Sequence, residues 1–187
     1  MEIKRILQIF RDGRKRESYL NVPLKDGEQG NFQTLDVMAR IVREDRLQPD
    51  LRAFVLREIV GDVGGHNFGG ELNAIFDFCQ HRIVYRKDPF NVERVADLWS
   101  TIYALNPNNP EGDCGIKSTC FATCCALIGY KPFFVVIKQD ARQTSFNHVY
   151  NGVISNGQKQ YFDATPEDKP AGWQVPSAVK IEYPIFK

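Results

Sequence analysis

Glu111-Gly112-Asp113-Cys114-Gly115-Ile116-Lys117-Ser118 decides the reading of this chain. A Gly-Asp pair hands a cysteine to the start of a helical pattern. Asp113 is a natural N-cap, because a short carboxylate can take the free N–H groups of a first helical turn. Ile116, Cys120, Cys124, Leu127 and Ile128 then recur at helical spacing. Gly129 stops the pattern and Pro132 forbids its return. A thiol at that position meets the positive end of the helix dipole, which favours the thiolate.

Downstream, Asn147-His148-Val149-Tyr150 lies in an apolar, strand-like run, and Tyr161-Phe162-Asp163-Ala164-Thr165-Pro166 ends the next one. Between them Asn156-Gly157 is the strongest short hairpin signal. A two-residue turn there pairs Ser155 with Gln158 and sets Tyr150 opposite Asp163. His148, two residues from Tyr150, shares its face and becomes the diagonal neighbour of Asp163. A slip of one residue would separate them. Cysteine, histidine and aspartate can serve as nucleophile, base and orienting group for acyl transfer. Taken singly, each has a plainer reading: a core thiol, a satisfied histidine and a turn former.

Composition bounds the alternatives. The chain has 187 residues, 43% hydrophobic and 25% charged, which fits a globular protein with a real core. A net charge of +1 gives no global field for nucleic acid, and no apolar run reaches membrane-spanning length. The basic stretch at residues 11–16 reads as a solvated loop. Five cysteines, four of them crowded together, do not make a disulfide framework; they point to a reducing, cytoplasmic setting. They hold no Cys-x-x-Cys pair, so zinc is not expected, nor is any other cofactor.

Residues 1–62 read as an N-terminal extension, with a short strand at 2–10 and a polar arm at 11–33. A helix follows from an N-cap at Thr34, carrying Leu35, Met38, Ala39 and Val42, and a second carries Leu51, Phe54, Val55 and Ile59. Five glycines between 61 and 70 form a connector. Residues 71–83 make a clean helix with Cys79 on its apolar stripe and His81 off it. Asn91 is read as capping a short helix with Val92, Val95, Leu98 and Trp99. The tail, with Pro166, Pro170, Pro176 and Pro184, is expected to wrap the surface rather than add a core element.

Gly112-Asp113-Cys114 opening a helix, Asn147-His148-Val149-Tyr150 in a strand and Phe162-Asp163-Ala164-Thr165 closing the next resemble the transglutaminase-like superfamily, a branch of the papain-like cysteine enzymes. The likeness covers residues 70–166, and small phage and prophage proteins of this kind are similar in size and layout. It implies an α+β fold: a nucleophile helix packed on an antiparallel sheet, here with extra N-terminal helices and a catalytic core over 70–187. It implies Cys114 as nucleophile, His148 as base and Asp163 as orienting acid, in a thiol peptidase or acyltransferase acting on a protein or peptide. Trp99, Tyr103 and Asn106 are candidate oxyanion donors. Family members often follow the cysteine with acidic residues, whereas Gly115 and Ile116 follow here. A non-catalytic structural or protein-binding module on the same fold, engaging an assembly partner, is the alternative; a phage-encoded copy would be virion-associated.

Overall fold

The computed structural model describes residues 5–11, 18–64, 67–105 and 109–186. It is a mixed α+β architecture built around one helix, α4 (Cys114–Leu127). The sequence pattern predicts one buried stripe on α4. Instead every residue from 115 to 125 is buried. Small side chains make this possible: Ser118, Thr119, Cys120, Ala122, Thr123, Cys124 and Cys125 let neighbours approach on all sides. Most of their polar atoms find partners, as burial demands, the Thr123 hydroxyl being the exception. Ser118 Oγ donates to the Val149 carbonyl, Thr119 Oγ1 to the Gly115 carbonyl, and Asn151 Nδ2 to the Ser118 carbonyl.

On one side α4 packs against a four-stranded antiparallel sheet of β6 (Lys131–Lys138), β7 (His148–Ser155), β8 (Gln158–Phe162) and β9 (Val179–Pro184), in the order β8-β7-β6-β9. The β7–β8 hairpin has the register its turn predicts, with Ser155 opposite Gln158 and Asn151 opposite Phe162. Strand β9 corrects the expectation for the tail. The last segment pairs with β6 from Val179 to Pro184 and adds an edge strand. Pro176 precedes that strand and Pro184 closes it, so neither interrupts the ladder.

On its other side α4 meets the N-terminal half of the chain. Strands β1 (Ile6–Arg11) and β2 (Ser18–Pro23) form a hairpin, and β1 also pairs in parallel with β4 (Val92–Ala96). Residues 92–96 are thus a strand and not the start of a short helix. Asn91, expected as a cap, adopts a left-handed conformation (φ 61°) that turns the chain into the strand. Helix α1 spans Gly27–Asp45, starting well before Thr34, which is buried within it. Helices α2 (Pro49–Phe54) and α3 (Phe68–Asp77) each run on into a π-helical turn, Val55–Ile59 and Phe78–Arg82. Another π-helical turn covers Ser100–Leu105. The two-residue strands β3 (Val84–Tyr85) and β5 (Glu111–Gly112) pair in parallel and bring the chain to Cys114. Among the described residues no helix is long and apolar enough to cross a membrane.

Arg11 joins β1 to α1 and to the end of β4, with ion pairs to Glu44 at 3.0 Å, Asp45 at 3.2 Å and Asp97 at 3.3 Å. Asp45 is fully buried. Burial, then the charge of Asp97, pushes its carboxyl up to about 7, against the pull of Arg11. The folded protein therefore holds a proton there that the unfolded chain releases above the ordinary carboxylate range, and this stabilisation is lost as pH rises towards about 7. Asp45→Asn is expected to flatten that slope, so that its urea midpoint falls less than the wild type's between about pH 5 and pH 8.

Candidate active site

The N-terminus of α4 is set by Asp113, whose Oδ1 accepts the Ile116 N–H at 3.0 Å. Gly112 is required just ahead of it, because a Cβ there would lie 2.4 Å from Ile116 Cγ2. This close approach seats β5 against the first turn and holds Cys114 at a cleft of about 360 Å³. The Val149 N–H, on β7 one residue beyond His148, faces the Cys114 sulfur and favours its thiolate.

His148 lines the same cleft. Its Nε2 lies 2.8 Å from Asp163 Oδ2, and Asp163 is nearly fully buried. The second carboxylate oxygen, Oδ1, accepts the Thr165 N–H at 3.1 Å. Asp163 is thus held at both oxygens, and it engages His148 through Nε2. The His148 ring stacks on Tyr150 with centroids 6.0 Å apart. The hairpin turn fixes this juxtaposition, as the sequence pattern requires.

The electrostatics around the thiol run against ionisation in the resting protein. Burial is the main cause, and it pushes the Cys114 thiol well above its ordinary range. The charge of Asp113 acts in the same direction, as do Glu93 and Asp163, while the Val149 N–H opposes them. Asp88, Glu93 and Asp113 bring carboxylate oxygens within 4.8 Å of one another beside the cysteine. Asp88 is engaged by Arg94, with Nε at 2.8 Å, and Asp113 by the helix N-terminus. Burial raises Asp113 to about 7 and Glu93 to about 8. Burial and the crowding of the three carboxylates thus favour the protonated forms of Asp113 and Glu93. No local pattern marks this trio, because Asp88 lies in a Lys87-Asp88-Pro89 break and Glu93 in a segment whose spacing reads as a short helix.

The opposite wall of the cleft comes from α1, through Asn31, Thr34, Leu35 and Met38. Asn31 clasps the backbone of Phe146 at two points: Nδ2 donates to its carbonyl at 3.2 Å, and Oδ1 accepts its N–H at 3.1 Å. This fixes the loop that delivers His148. The residues before Thr34 look like a polar arm because their polar atoms work on the cleft and on backbone.

Of the expected oxyanion donors, Trp99 and Tyr103 do not line the cleft that holds Cys114. Trp99 is buried away from the cleft, packed against Phe54 and Tyr103 with centroids 5.3 Å from each. Tyr103 is exposed, and Asn106 lies outside the described residues. Among the described residues, the N–H groups beside the thiol are those of Cys114 itself and of Val149, because Asp113 takes the N–H groups of Ile116 and Lys117. His81 is exposed and bonded to Asp77 at 2.9 Å, as its place off the apolar stripe predicts.

No model of a known protein family matches the sequence, and neither does any curated protein. Among solved structures, the chain is similar to "a putative protease" from Parabacteroides distasonis, at 13% identity and a TM-score of 0.49, with 79% of this chain and 33% of that one covered. It is also similar to "a putative cysteine protease" from Cytophaga hutchinsonii, at 14% identity and a TM-score of 0.48, with 76% of this chain and 51% of that one covered. The chain thus spans about a third and about half of those two proteins.

Proposed function

We propose that this protein is a cysteine-dependent amide hydrolase or acyltransferase of transglutaminase-like design, acting on a protein or peptide. The observation that carries the reading is the His148–Asp163 hydrogen bond at 2.8 Å, on the cleft that also holds Cys114. His148 takes the thiol proton as the sulfur bonds to the substrate carbonyl carbon, and the carbonyl electron pair moves to oxygen. The backbone N–H groups of Cys114 and Val149 receive that oxyanion. Collapse expels the amine, which leaves with the proton from His148. Water then attacks the thioester, gives its proton to His148, and the thiol is released with that proton. Asp163 holds the ring in orientation throughout and stabilises its charged form.

The test is to trap the acyl-enzyme. Wild-type protein mixed with an activated aryl ester is expected to carry one acyl group, found on Cys114 by intact mass and peptide mapping. Acyl groups spread over the cysteines, or none, would overturn the proposal.

A second reading, a non-catalytic binding module, is favoured by one observation. Burial and the surrounding carboxylates oppose a thiolate at Cys114. On that reading Cys114→Ala leaves partner binding intact and the ester leaves the wild type unmodified.

A further inference from the structure

We propose that Lys117 and Gln80 are the positioning residues of the orienting acid, acting as a buried strut that ties Asp163 to the cysteine's own helix. The inference rests on the hydrolase reading of Cys114, His148 and Asp163.

Lys117 sits one helical turn after Cys114 and is only 1% exposed. Burying an ammonium is costly, and burial pulls the Lys117 pKa down. A methionine or leucine would fill the same space in a helix core without that cost. What the lysine gains is a pair of acceptors. Its Nζ donates to the Gln80 carbonyl at 3.0 Å and to the Ala164 carbonyl at 3.1 Å. Ala164 is the residue directly after Asp163.

Gln80 extends the same strut. It is 4% exposed and lies in the π-helical turn after α3. Its side-chain amide donates to the Pro166 carbonyl at 2.6 Å and to the Lys169 carbonyl at 2.7 Å. Two buried side chains therefore capture three carbonyls of the segment 164–169, which leaves β8 without further strand pairing. Asp163 stands at the head of that segment, where its carboxylate would otherwise follow every movement of a proline-containing loop. The charges of Asp163 and Glu167 also favour the lysine cation. The line of force runs from α4 through Lys117 to the Ala164 carbonyl, then to Asp163 and the His148 ring. One helix thus sets both the place of the thiol and the place of the acid.

The experiment compares wild type, Lys117→Met, Gln80→Leu, Asp163→Asn and the Lys117→Met/Asp163→Asn double variant. The rate of Cys114 alkylation by iodoacetamide is followed across pH, with urea unfolding of each protein alongside. Misplacing an orienting group by about 1 Å costs on the order of 10²-fold, so folded Lys117→Met is expected to lose about 10- to 100-fold of the alkylation rate near neutral pH. The double variant is expected to lose little beyond Asp163→Asn alone, because both substitutions cut one linkage. A lysine that served only packing would lower the urea midpoint and leave the pH profile and this coupling unchanged. Gln80→Leu, which spares the contact beside Asp163, is expected to give a smaller loss of the same sign and decides the matter if Lys117→Met does not fold. Fast wild-type alkylation with unaltered folded variants, or full multiplication of the two losses, overturns the strut alone. A wild-type Cys114 no faster than a free thiol overturns the hydrolase reading and the strut with it.

Discussion

In the His148→Gln variant, cleavage of any amide or ester that the wild type accepts is expected to fall about 10²- to 10⁴-fold, the usual contribution of a positioned general base. Its stability is expected to stay near that of the wild type. The two halves of this expectation come from different atoms. A glutamine amide can donate to Asp163 Oδ2 as the ring Nε2 does at 2.8 Å, so the buried carboxylate keeps a partner. The amide has no basic nitrogen with which to take the thiol proton. His148→Ala should lose as much activity and also about 1–3 kcal/mol of stability, because it strands Asp163 in a buried site. Steady-state rates and urea melts on the two variants separate chemistry from folding. A glutamine variant as active as the wild type would remove His148 from the mechanism.

A large loss of stability from a single methyl group is expected at Gly30. A Cβ there would lie 2.1 Å from the backbone carbonyl oxygen of Lys25. The chain before α1 folds back along the helix at this point, and Gln33 holds it there. Gln33 Nε2 donates to the Pro23 carbonyl at 2.9 Å, and its Oε1 accepts the Lys25 N–H at 3.1 Å. Backbone fixed on both sides cannot yield as a flexible side chain would. Gly30→Ala is therefore expected to cost about 1–3 kcal/mol or more, read as a lowered urea midpoint with an unchanged slope. The damage should reach the cleft as well. Asn31 is the next residue, and a displaced first turn of α1 pulls its amide off Phe146. A midpoint equal to wild type would mean that the 23–25 segment is free to lift away.

The hairpin was legible because two adjacent residues determine it. Asn156 and Gly157 both take positive φ, 51° and 75°, so the turn admits one register and with it the placement of His148 beside Asp163. The end of the cysteine helix was legible for the same reason, with Gly129 at φ 100°. What escaped depends on partners far away in the chain. Val92 to Ala96 is a strand only because β1 lies beside it, and no local pattern carries that information. The last strand was hidden by flanking prolines that read as loop. The first turns of α1 were hidden by polar side chains whose acceptors and donors lie more than a hundred residues on. Lys117 was invisible for the opposite reason. A lone lysine in a helical pattern reads as a solvent-facing residue, and only the carbonyls of Gln80 and Ala164 reveal that it is not.

The edge strand β9 carries a consequence for the order of events during synthesis. The residues that follow and close it buttress α1: Tyr183 Oη bonds to Asp36, Arg43 donates to the Ile185 carbonyl at 2.8 Å, and Arg46 lies over the Phe186 ring at 4.8 Å. One wall of the cleft is thus braced by segments translated long after it. A chain emerging from the ribosome carries Cys114, His148 and Asp163 before that brace exists, and such distant pairings close late in folding. The cleft therefore gains its final shape only as residues 179–186 dock, after Cys114, His148 and Asp163 have all been made.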